Sequence, residues 1–153
     1  MSEDNIDKED NLSEDNIDKE DNLKKDKLAE DISHPKIVDI RERAFAFAVR
    51  IVKLCKFLEK HSTVSKNLIN QLLDAGTSVG ANLEEAKAAQ SRADFTHKNS
   101  ISLKEARESN FWLKLILATE KFEENVGKGI RELADESQEL ANIIGKIVIS
   151  TKK

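Results

Sequence analysis

The chain has 153 residues, of which 35% are charged and only 5% are aromatic, with five glycines and one proline. This composition is typical of a helical protein with few turns, and the length predicts one domain with a real core. No apolar run approaches the roughly 20 residues of a membrane span, and the acidic N-terminus lacks the apolar segment of a secretory signal. We therefore expect a cytoplasmic protein, in keeping with a lone cysteine, Cys55, that has no partner for an intramolecular disulfide.

Residues 1–34 form an acidic segment built on a perfect tandem repeat. The eleven residues 2–12, SEDNIDKEDNL, recur unchanged as residues 13–23. The segment holds 13 acids and 5 lysines, a net of −8, whereas residues 35–153 hold 16 acids and 20 Lys/Arg, a net of +4. Its isolated Ile and Leu residues make no helical stripe, and Asp and Asn favour turns. We predict a disordered segment, either a plain linker or an acidic tail that competes with nucleic acid for the domain.

Pro35 marks the start of the domain, because the residue before a proline is disfavoured in a helix. The sequence predicts a first helix over residues 38–60, with two apolar stripes where a bundle helix needs one. The stripe expected to face the core consists of Phe47, Ile51, Leu54 and Leu58. The second stripe consists of Phe45, Val49 and Val52. We interpret the second stripe as a candidate oligomer interface, and the alternative is a wide core face in a small bundle.

Basic residues make the same helix a candidate nucleic-acid surface. The six residues are Arg41, Arg43, Arg50, Lys53, Lys56 and Lys60. Such side chains would contact phosphates, so that affinity would fall steeply with salt. The alternative is an ordinary solvated helix face.

The next two predicted helices, residues 64–89 and 92–122, keep small residues where large apolar ones would be expected. Gly76 and Gly80 lie one turn apart, and each interior glycine costs roughly 1 kcal/mol relative to alanine. Close packing of backbones is the compensation that we expect, so this stretch predicts a tight helix–helix seam.

Five polar residues on these two helices should come near one another: Asn82, Glu85, Lys104, Glu105 and Glu108. The functional interpretation is a buried polar cluster or the lining of a channel in an oligomer. We favour the structural alternative, a solvated face with a Lys104–Glu108 pair worth only ~0.3–0.5 kcal/mol.

Asn125, Gly127 and Gly129 predict a break, and residues 128–151 then predict a fourth helix with heptad-like apolar spacing. Four helices with short connections make an all-α, antiparallel up-down-up-down four-helix bundle over residues 35–153.

The chain contains no complete catalytic constellation. A carboxylate-bridged metal site in a bundle needs two Glu-x-x-His motifs, whereas Asp94 and His97 supply a single comparable pair on a predicted bundle helix. Cys55 falls on an apolar helix face, where a thiol behaves as a small hydrophobe. We predict no enzymatic activity, no cofactor and no metal site, and a carboxylate metal enzyme is the third-ranked hypothesis.

Three segments carry a resemblance to a known family. They are FAFAVRIVKL at residues 45–54, QLLDAGTSVGANLEEAKAAQS at 71–91 and ADFTHKNSISLKEARESNFWLKLI at 93–116. In their order, spacing and small residues they resemble the proteins encoded in intervening sequences of bacterial 23S ribosomal RNA genes, called the S23 family. The resemblance implies a closed four-helix bundle that assembles into ring-like homo-oligomers, commonly pentamers, and it implies no enzyme. A distantly similar branch, the accessory proteins of diversity-generating retroelements, binds a reverse transcriptase and nucleic acid.

Together these features favour a non-enzymatic, oligomeric scaffold. RNA or a ribonucleoprotein, bound through the basic face of the first helix, is the first partner class, and a nucleic-acid-processing protein belongs to the same class. The chain itself is a further partner, and no membrane is expected. The alternative is a protein–protein adaptor without nucleic-acid contact, whose second stripe on the first helix binds a different protein.

Overall fold

The computed structural model describes residues 39–153, together with residues 19–20 and 22–24. All regular structure in these residues is α-helical, which confirms the all-α prediction. The chain divides into two compact units, Met1–Ile37 and Val38–Lys153. In the first unit the five described residues are helical, contrary to the predicted disorder; the rest of the predicted tail lies outside the described residues.

Four long helices make up the second unit: α1 (Ile40–His61), α2 (Lys66–Lys87), α3 (Arg92–Thr119) and α4 (Glu124–Thr151). The first three begin at residues whose side chains accept a hydrogen bond from a first-turn amide: Asp39, Ser65 and Ser91. Such caps satisfy backbone amides that have no acceptor inside the helix. No helix of the described part of the chain has the combination of length and apolarity that crossing a membrane requires.

The connection between α3 and α4 lies earlier than the sequence predicts. α3 ends at Thr119 and α4 begins at Glu124, so that Asn125, Gly127 and Gly129 are helical and do not break the chain. Gly127 is buried, and packing of a helix against its neighbours outweighs the poor propensity of single residues. Asn and Gly do have low helix propensity, but the sequence does not reveal the tertiary packing that compensates for it here.

Each helix packs against two others: α1 and α3 both contact α2 and α4. The contacts between neighbours run in opposite chain directions, since Gly80 approaches Ala44 while Ile69 accepts a hydrogen bond from Cys55. The same reversal appears in the pairs Glu85–Lys98, Val79–Ser102, Asn110–Ala134 and Arg92–Thr151. This pattern of neighbours is that of a helical bundle.

The core lies between the four helices and is filled mainly by aliphatic side chains. The largest that are fully buried are Phe47, Ile51, Leu58, Leu72, Leu113, Ile116, Ile130, Leu140 and Ile144. The part of α3 from Asn99 to Ser109 instead buries small or polar residues, Asn99, Ser102, Ala106 and Ser109. The Ser102 hydroxyl donates a 2.7 Å hydrogen bond to the carbonyl of Val79, which satisfies a polar group inside the α2–α3 seam.

The glycines of α2 face α1, a helix outside the stretch from which the tight seam was predicted. A Cβ on Gly76 would lie 2.7 Å from Cγ2 of Ile51, closer than real Cβ contacts. A Cβ on Gly80 would lie 3.6 Å from the backbone of Ala44, an ordinary contact. Of the two glycines, Gly76 therefore has the less room for a side chain, because Ile51 of α1 occupies the space beside it.

Candidate functional site

The predicted interface residues of α1 lie on one face of the helix, outside the core. Phe45 is 71% exposed and Val49 is 37% exposed, while Val52 is half-buried. Their spacing of four and three residues places them on consecutive turns. We call Phe45, Val49 and Val52 the α1 apolar face. Two large apolar residues one turn apart are therefore left in solvent on a helix whose opposite side forms the core.

The six basic residues of α1 divide into two groups, and the three arginines are paired within the bundle. Arg43 donates two hydrogen bonds to Glu136 of α4, at 2.6 and 2.8 Å, and this partner raises its pKa. Arg41 bonds Asp39 at 2.8 Å and lies 3.5 Å from Glu84. The guanidinium of Arg50 lies 3.8 Å from Glu132. These contacts reduce the positive charge that the arginines present to a phosphate.

The three lysines form the second group. Lys53, Lys56 and Lys60 are exposed, and their spacing of three and four residues places them on one face. Within residues 39–153, no carboxylate lies within 4.0 Å of their ammonium groups. The basic surface of α1 is thus smaller than the sequence predicts. We call these three residues the α1 lysine face.

The five predicted polar-cluster residues do not form one hydrogen-bonded group. Glu85 pairs with Lys98 of α3, and the Asn82 amide donates to a backbone carbonyl of its own helix. Glu108 accepts from the indole of Trp112, and Lys104 is exposed. The described residues thus show three separate local contacts, and neither one hydrogen-bonded cluster nor the expected Lys104–Glu108 ion pair is among them.

Glu105 is the member of this group whose environment changes its chemistry. Burial raises the pKa of its carboxyl, and neighbouring Glu108 and Asp74 add to the rise while Lys104 opposes it. Proton uptake by Glu105 is thereby made easier, although no hydrogen bond ties it to the other four residues among the described contacts.

Two concave sites were missed by the sequence reasoning. A cleft of about 780 Å³ lies where the α1–α2 and α3–α4 connections meet, with Phe57, His61 and Phe122 in its lining. The rings of Phe57 and His61 lie 5.0 Å apart. The sequence did hold a signal for this cleft. In the predicted up-down bundle the first and third connections lie at the same end, so their side chains are expected near one another.

The second concave site is a groove between α1 and α4, with a volume of about 320 Å³. Its lining comprises Arg50, Lys53, Leu54, Phe57, Asn125, Val126, Gly129, Ile130 and Leu133. Leu54, predicted to face the core, is half-buried and lies in this groove; Ala44 and Cys55 take core positions on α1 instead. We call this site the α1–α4 groove.

Groups suited to catalysis are sparse in the described residues. Within residues 39–153, no group of three or more His, Cys, Asp or Glu side chains is arranged to hold a metal ion. Cys55 is buried, and burial raises the pKa of its thiol to about 11, which suppresses the reactive thiolate.

Comparison with known proteins identifies relatives of the bundle. The family model described as 23S rRNA-intervening sequence protein matches residues 36–144. A crystal structure of a protein of unknown function from the S23 ribosomal protein family of Bacteroides thetaiotaomicron is similar, with a TM-score of 0.66 and 38% sequence identity. The alignment covers 72% of this chain and 98% of that one. A search of curated proteins finds no match.

Two independent comparisons, one of sequence and one of structure, agree with the resemblance carried by α1, α2 and α3. The family model spans most of the chain and most of all four helices. This chain belongs to the family of 23S rRNA-intervening sequence proteins.

Proposed function

We propose that the bundle is an antiparallel up-down-up-down scaffold that self-associates through the α1 apolar face and carries no enzymatic activity. The observation that supports it is the exposure of Phe45 and Val49 on one side of α1. Contiguous apolar surface on a soluble domain marks an interaction site, and aromatic residues are enriched at the centres of interfaces. A second copy is the simplest partner, because in a closed ring every subunit places the same patch against the same second surface of its neighbour. We place the assembly in the cytoplasm, with a pentameric ring as the expected form.

The test is a double substitution, Phe45→Glu with Val49→Glu, followed by sedimentation velocity. We expect the sedimenting mass to fall to that of one chain, 17.2 kDa, because two buried charges would have no partner in the interface. The matched control is Phe111→Glu on α3, since Phe111 is also exposed, at 57%. An assembly that survives the double substitution, or that is dissociated by the control instead, contradicts the proposed interface.

The α1 lysine face supports a second candidate function, the binding of RNA by the scaffold. Lys53, Lys56 and Lys60 are exposed without a carboxylate partner among the described residues, and in a ring each subunit would present the same face. Contacts of this kind are made to phosphates and carry no sequence information.

Fluorescence anisotropy of a labelled single-stranded RNA tests this candidate. Replacing the three lysines by glutamate should weaken binding by at least about tenfold and make the salt dependence shallower by about two in the log–log slope. The control replaces three exposed lysines of α3 and α4, Lys114, Lys128 and Lys146. Equal losses of RNA affinity in both variants would contradict a site at the α1 lysine face. No binding at low salt would remove RNA and leave the protein-only adaptor.

A further inference from the structure

The α1–α4 groove is an apolar depression with a basic edge. Its apolar lining is Leu54, Phe57, Val126, Ile130 and Leu133. Its volume of about 320 Å³ lies at the lower end of the roughly 300–1,000 Å³ of ligand clefts. The groove therefore has room for a few aliphatic groups, and not for a large cofactor.

Gly129 keeps this groove open. It lies within α4, where helix propensity alone favours almost any other residue, and a Cβ built on it meets nothing within 4 Å. Packing inside the bundle therefore does not require a glycine at this position, unlike Gly76. The absent side chain leaves space on the outer surface of the α1–α4 seam.

Positive charge borders the groove on the α1 side. Arg50 and Lys53 are part of its lining. Arg50 approaches Glu132 at 3.8 Å, which is a loose and exposed pair, while Lys53 has no carboxylate within 4.0 Å among the described residues. A ligand that suits this surface combines aliphatic side chains with flanking carboxylates.

We propose that the α1–α4 groove of one copy binds the acidic repeat SEDNIDKEDNL of a second copy. Each repeat carries one Ile and one Leu among five acids and one lysine, which is the chemistry that the groove selects. Leu23, at the end of the second repeat, is 64% exposed and so is available to a partner. The match to the family model begins at residue 36, so both repeats lie outside the matched region. Two identical repeats per chain raise the effective concentration of the ligand.

The contact is independent of the α1 apolar face, because it uses other residues of α1 together with α4. The proposal predicts that a copy whose groove is filled no longer binds the repeat of another copy, although its own fold is unchanged. Gly129→Leu provides such a copy, since the new side chain extends into open space and leucine favours a helix over glycine.

Photo-crosslinking of full-length chains tests the proposal. Asn16→p-benzoyl-phenylalanine, next to Ile17 in the second repeat, is introduced into a ¹⁵N-labelled chain that is mixed with unlabelled recipient chains. After irradiation, mass spectrometry should find links between the two isotopic forms that end in residues 50–57 or 125–133. Gly129→Leu fills the groove, and Lys53→Glu places a like charge against the acids of the repeat. Each substitution in the recipient should reduce these links on the order of tenfold. Lys146→Glu, an exposed charge reversal elsewhere on α4, should leave them unchanged.

Three outcomes would overturn the inference. Links that avoid both groove segments would place the repeat elsewhere. Links to the groove that Gly129→Leu and Lys53→Glu leave unchanged would show that the lining does not bind it. Links confined to the labelled chain would exclude a second copy as the recipient.

Discussion

Gly76 of α2 packs against Ile51 of α1, and a Cβ there would be 2.7 Å from Cγ2 and 2.9 Å from Cγ1 of that side chain. Ile51 is fully buried, and its branched Cβ restricts the rotamers through which it could move away. A methyl group added to Gly76 therefore has no free volume beside Ile51.

We expect Gly76→Ala to lower the free energy of unfolding by about 1–2 kcal/mol, because the overpacking cost exceeds the gain in helix propensity. Gly129→Ala is the matched control, with open space around its Cβ, and should raise stability by about 0.5–1 kcal/mol. Urea denaturation followed by circular dichroism measures both. Equal stabilisation by the two alanines would show that the α1–α2 approach is not limited by Gly76.

Cys55 is the second residue whose surroundings make a definite prediction. Its thiol is buried, its Sγ lies 3.7 Å from the carbonyl oxygen of Ile69, and burial followed by Glu59 raises its pKa to about 11. At pH 8 an aromatic disulfide reagent should react with the folded chain roughly two orders of magnitude more slowly than with the urea-unfolded chain. A folded chain that reacts as fast as the unfolded one would contradict this burial.

The raised pKa of Cys55 also predicts that the free energy of unfolding falls as the pH rises into the alkaline range. The folded pKa of Cys55 lies above the unfolded value of about 8.5, so the contribution of the neutral thiol is complete below that pH. It is lost as pH rises toward about 11, because only the unfolded chain then releases the proton readily. Cys55→Ala should remove this component of the alkaline decline, measured by urea denaturation between pH 8 and pH 11.

At the scale of elements, α1 contributes to the core through one face. Outside the core it carries the α1 apolar face and one wall of the α1–α4 groove. Its seam with α4 is held by Arg43 and Glu136 near the start of α1 and opens into the groove farther along the helix. The ion pair is bidentate and partly buried, with side-chain exposures of 34% and 21%, so it is stronger than an ordinary surface pair.

Glu136→Gln should therefore destabilise the bundle by about 1 kcal/mol, since it replaces a charge-assisted pair that solvent screens only in part. The corresponding change at the exposed pair, Glu132→Gln, should cost less than about 0.5 kcal/mol. Thermal denaturation at low and moderate salt compares them. An equal loss from both substitutions would contradict a special role for the Arg43 contact.

The four helices themselves could be predicted from apolar periodicity, because this signal is local in the sequence. The start of α4 could not, because the burial of Gly127 depends on its tertiary neighbours. The ion pair between Arg43 and Glu136 could not be predicted either, because the two residues are 93 positions apart in the sequence. For the candidate site, helical spacing grouped Phe45, Val49 and Val52 on one face, whereas the basic and polar groups depended on partners that spacing does not reveal.

At the scale of the whole molecule, the charge distribution and the apolar surface point to assembly. The net charge of −4 combines a −8 segment of 34 residues, with 13 acids and 5 lysines, and a +4 remainder, with 16 acids and 20 Lys/Arg. Opposite charges within one sequence favour association between copies, and such association weakens with salt. The α1 apolar face supplies a contribution that salt does not screen.

The central claim is that this chain assembles with itself through the α1 apolar face, and the solution mass tests it most directly. Size-exclusion chromatography coupled to light scattering should give a mass near five times 17.2 kDa, about 86 kDa, which persists at moderate salt. A mass of 17.2 kDa for the wild-type chain at micromolar concentration would contradict self-assembly, and Phe45, Val49 and Val52 would then await a different protein partner.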